Sequence, residues 1–289
     1  MSTPSLPGPP EAIEVILVPL DGSPLSELAL PVASSLARRF DAGVHLLSAV
    51  PTADDVAERE AQLSKLELSA KFVEREVVIN LDPAGAVHDR LVHMQKAVIC
   101  MATRGRGRSA AIFGSVADDV IFRCRDALVL AGRMLDPRLP GTGVILCVDE
   151  TPASAALLPI AWRWSELLHE PLTVMTVAEP VPEPFQSGTI HRRFGPDGDV
   201  DGYLSDLVRA LRAEGKEVQT KAIYDPISPA EGILAYLDAH PPYLVVAGTH
   251  ARTGLARLAL GSTAAAVVHS SPAPVLAIPR PDIQRKRDR

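Results

Sequence analysis

The chain repeats itself. Ile16-Leu-Val-Pro-Leu-Asp-Gly-Ser-Pro-Leu-Ser26 aligns with Val144-Ile-Leu-Cys-Val-Asp-Glu-Thr-Pro-Ala-Ser154 at an offset of 128, which sets Asp21 on Asp149, Pro24 on Pro152, Ser26 on Ser154 and Pro31 on Pro159. Farther along, Gly114-Ser115 falls on Gly261-Ser262 at an offset of 147, so the second copy carries 19 extra residues. The stretch Pro180–Gly202, rich in Pro, Gly and Asp, reads as the loop that holds most of them. A repeat this long is a whole domain rather than a solenoid unit, and 289 residues make two domains of ordinary size. Leu135-Asp-Pro-Arg-Leu-Pro-Gly-Thr-Gly143 reads as the linker between them, giving domains 1–138 and 139–289.

Each copy alternates strand and helix. Val15–Leu20 is a continuous apolar run rich in β-branched residues, the pattern of a strand buried on both faces. Ser23-Pro24 suits an N-cap followed by a first-turn proline. Leu25, Leu28, Ala29, Val32, Ala33 and Leu36 then follow at helical spacing. Pro31 and Pro159 fall inside these helices and predict a kink in each. Further strands are expected over 43–50, 74–80, 97–103 and 127–131, and in the second copy over 143–148, 172–177, 218–224, 243–249 and 274–278. Five strands alternating with helices imply a doubly wound parallel sheet in each copy. Ligands of such sheets bind beyond the carboxyl ends of the strands, where strand order reverses.

Composition narrows the function. Aromatic residues are 4% of the chain, too few for stacking single-stranded nucleic acid, and a net charge of −6 opposes both nucleic acid and anionic membranes as partners. Cys100, Cys124 and Cys147 have no metal spacing and read as buried thiols of a reducing compartment. The first ten residues have no basic start and no apolar stretch, and no apolar run approaches the ~18 residues that span a bilayer. A cytoplasmic protein is expected. The basic, polar last residues, 280–289, read as a frayed tail.

The segment after the fourth strand carries the chemistry. In the second copy it is Val245-Val-Ala-Gly-Thr-His-Ala-Arg-Thr-Gly-Leu-Ala-Arg-Leu-Ala-Leu-Gly-Ser-Thr263. A strand runs into a Gly-bearing loop, and Gly261-Ser262-Thr263 opens an Ala-rich helix. Glycine lets a ligand approach the backbone, and the free N–H groups and positive dipole of a helix start suit phosphate. The hydroxyls of Ser262 and Thr263 add donors. The spacing resembles that of the universal stress protein family: Gly-x-x-Gly, nine residues, then Gly-Ser or Gly-Thr, with an Asp at the end of strand one. Gly248, the nine residues from Arg252 to Leu260, Gly261-Ser262 and Asp149 match, and Ala251 replaces the second glycine.

The resemblance extends over both copies. It implies Rossmann-like domains of the adenine nucleotide α-hydrolase type, ATP as the ligand (with or without Mg²⁺), a stress-response role and dimerisation through the last strand of each domain. In a tandem chain it implies a pseudo-dimer of the two halves, with a homodimer of chains also open. The nucleotide contacts it points to in the second copy are Asp149, Val177, Gly248, Thr249 and His250, then Arg252, Gly261, Ser262 and Thr263. In the first copy they are Pro19, Asp21, Val50 and Thr103, then Gly105, Gly114 and Ser115.

The first copy departs from the pattern. Met101-Ala-Thr-Arg-Gly-Arg-Gly-Arg-Ser-Ala-Ala-Ile-Phe-Gly-Ser115 has Ala102 for the first glycine and eight residues between Gly105 and Gly114. Asp21 and Asp149 have a plainer role open to them, as caps of the following helix. Arg104, Arg106 and Arg108 suit either phosphate or solvent. There is no Gly-x-x-x-x-Gly-Lys-Ser/Thr loop, no Gly-x-Ser-x-Gly elbow, no metal-spaced Cys/His set and no evident base for activating water. These features favour binding over turnover, with no catalytic residue assigned. Three readings stand: an ATP-binding signalling protein, a slow ATPase or self-phosphorylating enzyme using Ser115 or Ser262, and a scaffold without nucleotide.

Overall fold

The apolar runs pair side by side as parallel strands. The computed structural model describes residues 10–103, 114–123, 126–136, 141–178, 199–225, 228–250 and 262–280. In the first half the strands are β1 (Val15–Pro19), β2 (Gly43–Val50), β3 (Val73–Ile79), β4 (Ala97–Ala102) and β5 (Leu128–Ala131). The second half gives β6 (Val144–Cys147), β7 (Leu172–Ala178), β8 (Val218–Tyr224), β9 (Leu244–His250) and β10 (Val275–Arg280). Among the described residues the helices are α1 (Ala29–Phe40), α2 (Val56–Ser64), α3 (Pro83–Val92), α4 (Ser115–Arg123), α5 (Pro152–Ala155), α6 (Leu158–Leu168), α7 (Val200–Ala213), α8 (Pro229–Ala239) and α9 (Ser262–Ser270). Two Rossmann-like units result, each a doubly wound parallel sheet of five strands.

The two sheets are one. The order β3-β2-β1-β4-β5-β10-β9-β6-β7-β8 reads the same from either end once matching strands of the two halves are equated. At its centre β5 and β10 run antiparallel, with Leu130 opposite Val275, Val129 opposite Leu276 and Leu128 opposite Ala277. Alternation along the strands divides the core between the two faces. Ile16 and Val18 of β1 pack on the side of α1 and α6, and Leu17 on the side of α3 and α4. Contacts across the halves reinforce the seam. The rings of Phe40 and Trp164 meet edge to face at 5.8 Å, Ser35 Oγ and the Tyr243 hydroxyl share a 2.9 Å hydrogen bond, and Arg39 donates to Glu170 at 2.7 Å. The aromatic pair adds roughly 0.5–1.5 kcal/mol beyond its buried area.

The registers locate the extra residues of the second copy. Val44 matches Leu172, the offset of 128 persisting through the second strand. Val73 then matches Val218, an offset of 145, so the bulk of the insertion lies between β7 and β8. Residues 179–198 of that stretch lie outside the described residues. The last three residues of the expected loop Pro180–Gly202 are helical, because Asp199 caps α7 by accepting the Gly202 N–H, and the helix begins at Val200.

The prolines act differently from the kinks their positions predict. Ser23 Oγ accepts the Ser26 N–H at 3.2 Å, but it opens a single 3-10 turn, Ser26–Leu28, and α1 starts only at Ala29. Pro31 therefore lies in the first turn of α1. In the second half α5 stops at Ala155 and α6 begins at Leu158, with Pro159 in its first turn. The helix breaks ahead of each proline rather than bending around it, because a first-turn residue has no intrahelical acceptor to lose.

Candidate functional site

Strand order reverses twice in the sheet, between β1 and β4 and between β6 and β9. Beyond the carboxyl ends of β6, β7 and β9 there is a slot of about 90 Å³. Val148, Met175, Val177 and Ile233 supply its apolar walls, and α9 closes one side with Thr263, Ala264 and Val267. Asp149 stands at its mouth beside Ser154, with Gly248 at the end of β9. The volume is roughly a third of the ~300 Å³ at which pockets begin to enclose a whole small molecule. The slot suits a flat apolar ring, leaving any polar substituents outside, toward Gly248 and the start of α9.

Asp149 is held in place. Its Oδ1 accepts the Thr151 N–H at 3.0 Å and the Thr151 hydroxyl, and Thr151 in turn caps α5 through the Ser154 N–H. Ser154 Oγ accepts the Asp149 N–H at 3.1 Å, and the Tyr203 hydroxyl donates to the Asp149 carbonyl at 2.5 Å. Burial, with the charge of Asp149 behind it, pushes the Tyr203 hydroxyl up to about 12, so it stays a neutral donor. The cap of α5 is therefore Thr151 and not Asp149, whose carboxylate closes the turn ahead of the helix and orients that cap. The same turn recurs in the first half, where Asp21 Oδ1 accepts the Ser23 N–H at 2.9 Å and its hydroxyl at 2.6 Å.

The other expected residues divide. Val177, Gly248 and Thr263 line the slot with Asp149, and Ser262 is exposed at the head of α9. Thr249 does not line it: the side chain is buried and its hydroxyl donates to the Ile278 carbonyl, at 3.5 Å. His250 ends β9 opposite Arg280. Arg252 and Gly261, like Gly105 and Arg104, Arg106 and Arg108, lie outside the described residues. Cys147, Met175, Pro229, Ile233 and Val267 also line the slot, and apolar spacing alone does not separate them from core. Burial pushes the Cys147 thiol up to about 12, so it is present as a small uncharged wall residue.

The corresponding place in the first half is built otherwise. Pro19 ends β1, Val50 ends β2, and Gly114 donates its N–H to the Thr103 carbonyl at 2.9 Å just before α4. Ser115 opens α4. Over Asp21-Gly22 lies the guanidinium of Arg59 from α2. A Cβ added to Gly22 would stand 2.6 Å from Arg59 Cζ, and Gly22 has φ +76°, open to glycine. Arg59 Nη1 donates to Ser48 Oγ at 2.7 Å, and Ser48 donates on to the Leu20 carbonyl. The helix starts differ too. α9 has no acidic residue in its first turn, whereas α4 has Asp118. Burial, reinforced by Asp119, pushes the Asp118 carboxyl up to about 6. At neutral pH it places a negative charge where the dipole of α4 would otherwise receive an anion. Thr103 with Leu25, Leu28, Ala102, Ala131 and Arg133 lines a separate hollow of about 230 Å³.

These features define a class: tandem α/β domains joined into one sheet, with an open slot at a switch point and a helix amino end beside it. The universal stress protein family model matches residues 12–97 and 143–279, and the chain belongs to that family. In the first half the match stops at Ala97, ahead of the segment that departs from the pattern. The chain is similar to a universal stress protein of Archaeoglobus fulgidus DSM 4304, 19% identical with a TM-score of 0.62, covering 92% of this chain and 98% of that one. A putative universal stress protein of Pseudomonas aeruginosa UCBPP-PA14 has the same identity, 19%, and TM-score, 0.62, covering 94% of this chain and 95% of that one. Among curated proteins, none matches the chain.

Proposed function

We propose that the chain binds one ATP, in the second half, and that occupancy regulates its conformation or its binding of a partner. The observation that carries this reading is the convergence at one place of the apolar slot, the fixed Asp149 and the α9 amino end with no acid in its first turn. The adenine ring enters the slot, Asp149 faces the ribose, and the phosphates lie toward Gly248, Gly261, Ser262 and Thr263, with His250 and Arg252 on the same segment. Any Mg²⁺ arrives with the nucleotide. The first half is non-binding because Arg59 and Asp118 occupy the corresponding ground. Residues 1–138 and 139–289 are then a regulatory pair of domains, a pseudo-dimer whose support is the β5–β10 seam. Among the described residues no helix is long and apolar enough to cross a membrane. Nothing in the reading needs one, and we place the protein in the cytoplasm.

A ligand shifts a conformational equilibrium only through unequal affinity for the two states. The test is calorimetry of the full chain with ATP and Mg²⁺, with mass spectrometry of the purified protein for retained nucleotide. One nucleotide per chain is expected, abolished in Gly261→Glu and weakened at least about tenfold in Asp149→Ala, the loss of about 1.4 kcal/mol. No adenine nucleotide bound at millimolar ATP removes the reading, and two per chain removes the assignment to the second half alone.

A further inference from the structure

We propose that the cleft between the two halves is a second ligand site, for a small organic carboxylate with an apolar body. The cleft measures about 390 Å³, within the ~300–1,000 Å³ span of small-molecule sites. The first half contributes one face of α1, and the second half contributes the segments that lead into β9 and β10.

Its walls are stiff and poor in donors. Five prolines line it, Pro31, Pro241, Pro242, Pro272 and Pro274, and proline has no N–H. Three of their carbonyls are engaged already: Pro241 accepts from Thr142, Pro272 from Asp136 and Pro274 from Val245. Val32, Leu36, Leu135 and Ala273 complete an apolar floor. Among the described residues, the charged and hydroxyl groups a ligand meets there are side chains.

Those side chains stand together on α1. Ser35, Arg38 and Arg39 are three and four residues apart, one face of the helix. Arg39 is committed: it donates to Glu170 at 2.7 Å and to the Leu168 carbonyl at 3.0 Å, and lies 4.8 Å over the Tyr243 ring. Asp136, the carboxylate of the cleft, is also engaged. Arg38 lines the cleft, is exposed, and has no ion pair or hydrogen bond among the described residues. The hydroxyls of Ser35 and Tyr243 bond to each other at 2.9 Å, which uses one of their two hydrogens and leaves the other to donate. One unpaired guanidinium and one spare hydroxyl hydrogen, over proline and aliphatic walls, match a monoanionic carboxylate on a compact apolar body. A guanidinium takes such a group through two parallel hydrogen bonds. The nucleotide slot is a different place, lined by none of these residues.

The experiment uses the full chain, with benzoate and 1-naphthoate as probes and benzamide as the uncharged control, read by ligand-observed NMR and calorimetry. Saturable binding of a carboxylate is expected, weakened at least about tenfold in Arg38→Gln, or about 1.4 kcal/mol, and weaker by a similar factor for benzamide. Binding is expected to persist in Gly261→Glu, which separates this site from the nucleotide site. Arg38 is a surface side chain, so its variant folds; Ser35→Trp fills the cleft and should abolish binding. No saturable binding of either carboxylate at millimolar concentration, binding unchanged in Arg38→Gln, or equal binding of benzamide overturns the proposal.

Discussion

Replacing Asp118 by Asn should stabilise the protein at neutral pH. The carboxyl sits near the start of α4, half-buried, and its Oδ1 has no hydrogen-bond partner among the described residues. Burial first, and the neighbouring Asp119 second, raise it from 3.8 to about 6. The sign follows from proton linkage. A carboxyl raised in the folded state holds its proton more tightly there, so ionisation opposes folding. The penalty is absent below about pH 3.8, grows as pH rises through the interval to about 6, and is complete above it. A shift of about two units at 1.36 kcal/mol each sets a ceiling of about 3 kcal/mol. The group keeps some contact with water, and screening reduces the figure to about 1–2 kcal/mol. Asparagine keeps the shape and removes the charge. Urea denaturation of wild type and Asp118→Asn, at about pH 7.5 and again near pH 3.5, isolates the effect. The variant should be more stable by about 1–2 kcal/mol at the higher pH and nearly equal at the lower. No gain at neutral pH, or a gain of the same size at both, would refute the reasoning.

Other substitutions probe the seam and the slot. Arg39→Ala strips Glu170, whose side chain is 8% exposed, of its cation, leaving the Gly143 N–H as the partner of that carboxylate among the described residues. A loss of about 2 kcal/mol is expected by urea denaturation, with a clear coupling term in a cycle with Glu170→Ala. Gly132→Ala places a Cβ 2.3 Å from the Val268 carbonyl oxygen, backbone of the other half, and should cost roughly 1–3 kcal/mol in thermal unfolding. Ser228→Ala removes the hydroxyl that caps α8 through the Glu231 N–H, for a loss of about 1 kcal/mol. Because Pro229 and Ile233 of α8 line the slot, the ATP binding proposed for it should weaken as well.

Whereas the edge strands β3 and β8 carry exposed polar residues among the apolar ones, the interior strands were legible because burial on both faces makes them mostly apolar. Val15–Pro19 and Leu172–Ala178 are plain cases. The start of α1 was not, since Leu25 and Leu28 continue the helical spacing through a turn that is 3-10, and spacing does not distinguish the two. The slot was half legible. Asp149, Gly248 and Thr263 stand in a recognisable order along the chain. Ile233 and Met175 read only as core, because a wall residue of an apolar slot has the same composition as one. Arg59 left no trace: a lone arginine on a charged helix reads as solvated, and only the fold brings it over Gly22. The join of β5 to β10 was expected from the family resemblance alone, because LVLA and VLAIPR are as suited to ending a sheet as to continuing one.

That join also governs how the protein meets dilution. In an association between separate chains, the fraction paired falls as concentration falls. Here the partner of β5 is tethered to it by the polypeptide itself, so docking of the halves is a first-order event with a fixed effective concentration. The pairing of β5 with β10 therefore has the same occupancy at a few copies per cell as at thousands.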